Sequence, residues 1–267
     1  MGVYACSVVT AVTAQNASAL SRVQVMPVDL VEDQLQAVLA GFDIAVIKLG
    51  MLGSIDIALC VAEMLGRTGI PAVIDPVIHA SVGGRLAAGN STDEAWLKVY
   101  REQLMPHATV FTPNLDEAEK LLGNKCVGSH EYYEAQARAL VALGAHAVLL
   151  KGGHSGDPRL STDYLAINLP SSSTKEVGIT PKTMRCSIAA GGEISVQTFA
   201  ATRLLTPHGH GTGCTLASAI AAGLAQGLTI PQAIATAKNY LHSSLMHAGR
   251  LGLVPANGPV HHFSSFW

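Results

Sequence analysis

The chain has 267 residues, 49% of them hydrophobic and 13% charged, with a formal net charge of -2. That length suits one large α/β domain or two small ones, and that apolar content argues against a disordered chain. With 17 basic against 19 acidic residues there is no basic excess to attract nucleic acid or an anionic membrane.

The N-terminal "MGVYACSVVTAVTAQ" lacks the basic region of a signal peptide and the Ser or Thr of a myristoylation signal. Within it, "CSVVTAVTA" alternates as a strand does. "PVDLVEDQLQAVLAG" predicts a helix with Asp29 as its N-cap and Leu30, Val31, Leu35, Val38 and Leu39 at helical spacing. "IAVIKLG" reads as a strand, residues 54–67 as a helix, "AVIDPV" as a strand and residues 92–104 as a helix. "ATVFTPN" is a strand, "LDEAEKLLG" a short helix, residues 131–143 a helix and "AHAVLLKGG" a strand. The rhythm breaks over residues 155–206, where strand-like "DYLAIN" and "ISVQTFA" flank a polar segment. This predicts a hairpin-like unit with a long loop. Helices over residues 213–226 and 231–248 follow.

The βαβα alternation predicts a mainly parallel sheet with helices on both faces, in a single domain over residues 1–267. Its strands are largely apolar, as strands covered on both faces are. The longest uncharged stretch, between Arg203 and Lys238, is broken by Pro207, Pro231 and several glycines. It reads as buried core rather than a bilayer span. Five scattered cysteines without a CxxC pair fit reduced thiols and a cytoplasmic protein. Eleven histidines without metal-ligand spacing read as structural.

In open parallel sheets, ligands bind beyond the carboxyl ends of the strands. Residues 48–51 (KLGM), Asp75-Pro76, Thr112-Pro113-Asn114 and Lys151-Gly152-Gly153 lie at such ends and are expected to face one crevice. Gly211-Thr212-Gly213-Cys214 leads into a helix, where backbone N–H groups and the helix dipole favour an anion and a thiolate. A tight turn into a packing helix fits the same residues. Asn114 and Glu117 share a helix face and suit Mg²⁺ beside phosphate, or form a capping box. Asp75 fits Mg²⁺ or substrate contact, or a turn-forming Asp-Pro. Lys151 fits phosphate neutralisation, or a lysine that buries its stem and keeps its charge in water.

Together "GTGCTLASAIAAGLAQG", "TPNLDEAEKL", "KLGML", "VIDPV", "LLKGGH", "YACSVVTAVTAQN" and "GPVHHF" resemble the ribokinase-like superfamily. Within it the match is to the hydroxymethylpyrimidine/phosphomethylpyrimidine kinases of thiamine biosynthesis. The resemblance implies a three-layer α/β/α fold, ATP and Mg²⁺ as cofactors, a small pyrimidine substrate and a homodimer. It matches Cys214 to the catalytic base and Gly211, Thr212 and Gly213 to the anion hole. It matches Lys151 and Asn114 to nucleotide phosphate, Asp75 and Glu117 to the metal, and Gln15 and Met51 to the substrate pocket. Two alternatives share the fold: a pyridoxal kinase, and an inactive nucleotide-binding paralogue. The family's N-terminal strand–loop–helix, roughly 30 residues long, has no counterpart here, so an unpaired sheet edge is expected. Residues 155–206 are longer than the family's usual segment. They form either a surface insertion or a nucleotide cover with Lys175, Lys182 or Arg185 on phosphate.

Overall fold

The computed structural model describes residues 1–77, 92–125, 128–153, 157–169 and 193–266. The strands are β1 (Ala11–Gln15), β2 (Leu20–Val25), β3 (Ile47–Leu49), β4 (Ala72–Ile74), β5 (Val110–Phe111), β6 (Ala147–Leu150), β7 (Leu160–Leu169) and β8 (Glu193–Thr202). The helices are α1 (Val28–Gly41), α2 (Ile55–Thr68), α3 (Asp93–Val99), α4 (Leu115–Leu122), α5 (His130–Val141), α6 (Thr212–Ala225) and α7 (Ile230–Met246).

Strands β3 to β8 form one sheet in chain order. β3, β4, β5 and β6 are parallel neighbours, and β7 and β8 are added antiparallel. The central strands are apolar on both sides because both faces are covered. Val73, Val110, Ala147 and Leu149 pack with α6 and α7. Their neighbours Ile74, Phe111, Val148 and Leu150 pack with the helices α2 to α5. The result is the expected α/β/α layering, with β3 at one edge of the sheet. The crossover helices α2 and α3 are capped at their starts: Ser54 accepts from the Ile57 N–H and Thr92 from the Ala95 N–H.

Three expectations need correction. "CSVVTAVTA" is a strand only from Ala11 onward and lies outside the main sheet: β1 pairs antiparallel with β2 in a separate two-stranded sheet. An Asx turn is the cause, because Asn16 Oδ1 accepts the N–H groups of Ser18 (2.8 Å) and Ala19 (2.9 Å) and folds the chain straight back. Asp29 is not an N-cap; Pro27 holds that position and Asp29 lies in the first turn of α1. The helix expected over residues 92–104 is α-helical only through Val99 and widens into a π-helical turn at Tyr100–Leu104. A 3-10 turn containing Pro106, which has no N–H to donate, ends it.

The hairpin expected over residues 155–206 is β7 and β8, paired from Leu160↔Thr202 to Leu169↔Glu193. Lys175, Lys182 and Arg185 lie outside the described residues. None of the described helices is long and apolar enough to cross a membrane.

Candidate active site

The carboxyl ends of β4, β5 and β6 open into a cleft of about 360 Å³, with the start of α6 as the facing wall. Asp75 follows β4 and is 2% exposed, so its carboxylate needs partners. It has them: Lys151 Nζ donates to Asp75 Oδ1 at 2.7 Å and Thr112 Oγ1 donates to the same oxygen at 3.2 Å. The strand ends are themselves tied together. Asp75 N–H donates to the Leu49 carbonyl, Thr112 N–H to Ile74 and Lys151 N–H to Pro113.

Asn114 and Glu117 form a capping box at the start of α4 and also line the cleft, so their two sequence readings coincide in place. Asn114 N–H donates to Glu117 Oε2 at 2.7 Å, and Glu117 N–H donates to Asn114 Oδ1 at 2.8 Å. Burial raises the Glu117 carboxyl to about 7; Lys151 and the Asn114 N–H oppose the rise, while Asp75 and Asp116 add to it. For Lys151, burial pulls the ammonium down, but the carboxylates of Asp75 and Glu117 outweigh it and the group ends above its ordinary value.

Gly211 precedes α6 with φ of +82°, a left-handed conformation that glycine takes without a Cβ clash. No side chain caps α6 and its first turn holds no acidic residue, so no residue of the helix itself offsets its positive end. A Cβ on Gly213 would lie 3.4 Å from Lys151 Nζ and 3.6 Å from Asp75 Oδ2, so the helix start abuts the ion pair. Cys214 is exposed on the cleft wall. The C-terminal segment braces the loop before it: Asn257 N–H donates to the Pro207 carbonyl and His210 N–H to that of Gly258.

Thus Asp75, Asn114, Glu117, Lys151 and Gly211 to Cys214 meet in one cleft. The end of β3 does not join them. Met51 lines a separate groove of about 680 Å³ beside β3, along with Lys48 and Gly50. Its carbonyl accepts from Thr10 Oγ1 at 2.8 Å. Gln15 is exposed at the end of β1, in the separate hairpin. Among the described residues no group of three His, Cys, Asp or Glu could hold a metal ion unaided. The hard carboxylate oxygens of Asp75 and Glu117 nonetheless fit Mg²⁺, which characteristically takes one or two carboxylates and completes its shell with phosphate and water.

Sequence reading missed Asp163, Lys238 and Arg203. The first two line the cleft as a buried pair, with Lys238 Nζ 2.6 Å from Asp163 Oδ2. Arg203 lines it too. An acidic residue inside the apolar run "DYLAI" and a lone lysine closing a long uncharged stretch were the available signs.

The phosphomethylpyrimidine kinase family model matches residues 1–261. The hydroxymethylpyrimidine/phosphomethylpyrimidine kinase of Rhizobium meliloti is 36% identical over 267 residues, spanning all of this chain and 89% of that protein. Among solved structures, the phosphomethylpyrimidine kinase of Clostridium difficile superposes with a TM-score of 0.66 at 27% identity, covering 90% of this chain and 86% of that one. Pyridoxal kinase of Bacillus subtilis in its ADP complex gives a TM-score of 0.77 at 26% identity, covering 98% and 88%.

Proposed function

The chain belongs to the phosphomethylpyrimidine kinase family, and on that premise we propose that it moves the γ-phosphoryl group of ATP onto 4-amino-5-hydroxymethyl-2-methylpyrimidine and then onto the resulting monophosphate. The observation that carries this reading is the contact between the Asp75–Lys151 pair and the uncapped start of α6. Phosphoryl transfer asks a protein for positioning and charge neutralisation more than for covalent chemistry. The cleft offers both. Lys151 holds a positive charge against the phosphates, and the N–H groups of Gly211 to Cys214 stabilise the charge that develops on the transferred group. Asn114 presents its amide beside them.

Asp75 and Glu117 are the residues that would hold Mg²⁺, which supplies charge neutralisation on the phosphates when bound. Cys214 acts as the base. The substrate hydroxyl oxygen forms its bond to phosphorus, the bond to the ADP oxygen breaks, and the hydroxyl proton passes to Cys214 Sγ. Gln15 and Met51 serve the pyrimidine only if β1 and the end of β3 approach the cleft with substrate bound.

Pyridoxal is the competing substrate, favoured by the higher TM-score of the pyridoxal kinase. ADP release measured with each alcohol decides between them. The proposal expects the larger kcat/KM with the pyrimidine, and a larger value with pyridoxal would overturn it.

A further inference from the structure

Asp163 and Lys238 are 5% and 9% exposed, in the middle of β7 and on α7. A buried ion pair seldom stabilises a fold more than an apolar pair of the same volume, so this one calls for a task. Its surroundings supply the task. Asp163 accepts on both sides: Lys238 Nζ on Oδ2 at 2.6 Å and the Gly152 N–H on Oδ1 at 2.9 Å. Gly152 is pressed against β7 so closely that a Cβ would lie 1.8 Å from the Thr162 carbonyl oxygen. The next residue is held from the other side, where Arg203 donates to the Gly153 carbonyl at 2.6 Å. Gly152 directly follows Lys151, whose ammonium faces Asp75 in the cleft.

We infer that Asp163 and Lys238 are positioning residues: a buried brace that fixes the Gly152–Gly153 turn and thereby aims Lys151 at the nucleotide phosphates. The inference rests on the reading of the cleft as a nucleotide site. The brace acts through Lys151, so its loss weakens nucleotide binding by misplacing that ammonium, and the effect depends on Lys151 being present.

The test is ADP titration by calorimetry with the full chain, each variant first checked for cooperative unfolding. Asp163→Asn keeps the shape, but an amide has a single acceptor oxygen and cannot accept on both sides. Asp163→Asn and Lys238→Met should each weaken ADP binding by about tenfold, as misplacement of an aligned group does. The double variant should also be about tenfold weaker rather than about a hundredfold, because the two act as one unit. In a Lys151→Ala background Asp163→Asn should change affinity by less than about twofold. If Lys238→Met does not fold, the Asp163→Asn and Lys151→Ala comparison carries the test alone. Wild-type affinity in folded variants, additive losses, or a full effect of Asp163→Asn without Lys151 would each overturn the brace. Failure of the wild-type chain to bind ADP would instead overturn the nucleotide reading, and the brace with it.

Discussion

Glu117→Gln isolates the cost of keeping a carboxylate in the cleft. Burial moves that carboxyl from 4.5 to about 7. The native state therefore binds more protons than the unfolded state between these values, and stability falls as pH rises through this window. Integrating the shift gives a destabilisation of about 1 kcal/mol near pH 5 and about 3 kcal/mol near pH 8. Glutamine carries no charge to desolvate, and its amide oxygen can still accept the Asn114 N–H that Glu117 Oε2 accepts. Urea unfolding near pH 5 and pH 8 should show the variant gaining on wild type by roughly 2 kcal/mol more at the higher pH. Its MgATP affinity should fall at the same time. An equal stability difference at both pH values would refute the reasoning, because it would mean that Glu117 does not titrate across this range.

Lys151→Met removes the cation from a pair whose side chains are 15% and 3% exposed. It should lower stability by about 3–5 kcal/mol in denaturant unfolding, as unpairing a buried charge does. The same variant should titrate Glu117 at a higher pH, since Lys151 lowers that group; an unmoved midpoint in a carbon-detected NMR titration would contradict the placement. Gly152→Ala forces a Cβ to 1.8 Å from the Thr162 carbonyl oxygen. A cost above about 4 kcal/mol is expected, and an unchanged melting temperature would sink the close-approach argument. Gly211→Ala must hold φ near +82°. It should cost about 1–2 kcal/mol and loosen ADP binding, with unchanged stability as the contrary result.

The layering and most of the cleft could be read from the sequence because both follow local rules. Apolar runs of three or four residues ending in Asp75, Thr112-Pro113-Asn114 and Lys151 place polar groups at one end of a parallel sheet. A glycine pair before an uncharged helix marks the fourth wall. What could not be read depended on distant partners. The β1–β2 hairpin is the exception: its turn is local, set by two hydrogen bonds to Asn16, and that asparagine was the available sign. The tie between Asp163 and Lys238 spans 75 positions, and sequence spacing carries no trace of it. Met51 lies apart for a different reason: β3 stands at the sheet edge, so its end opens to the groove beside α1 rather than to the cleft.

Single-turnover transfer of a labelled γ-phosphoryl group, from ATP to the pyrimidine alcohol with Mg²⁺, tests the central claim most directly. It should be run on the wild-type chain and on Cys214→Ala. The account predicts label on the pyrimidine with wild type. It predicts transfer at least roughly tenfold slower in the variant, with ATP bound equally by both. No label on the pyrimidine with wild type, or an equal rate without the thiol, would contradict it.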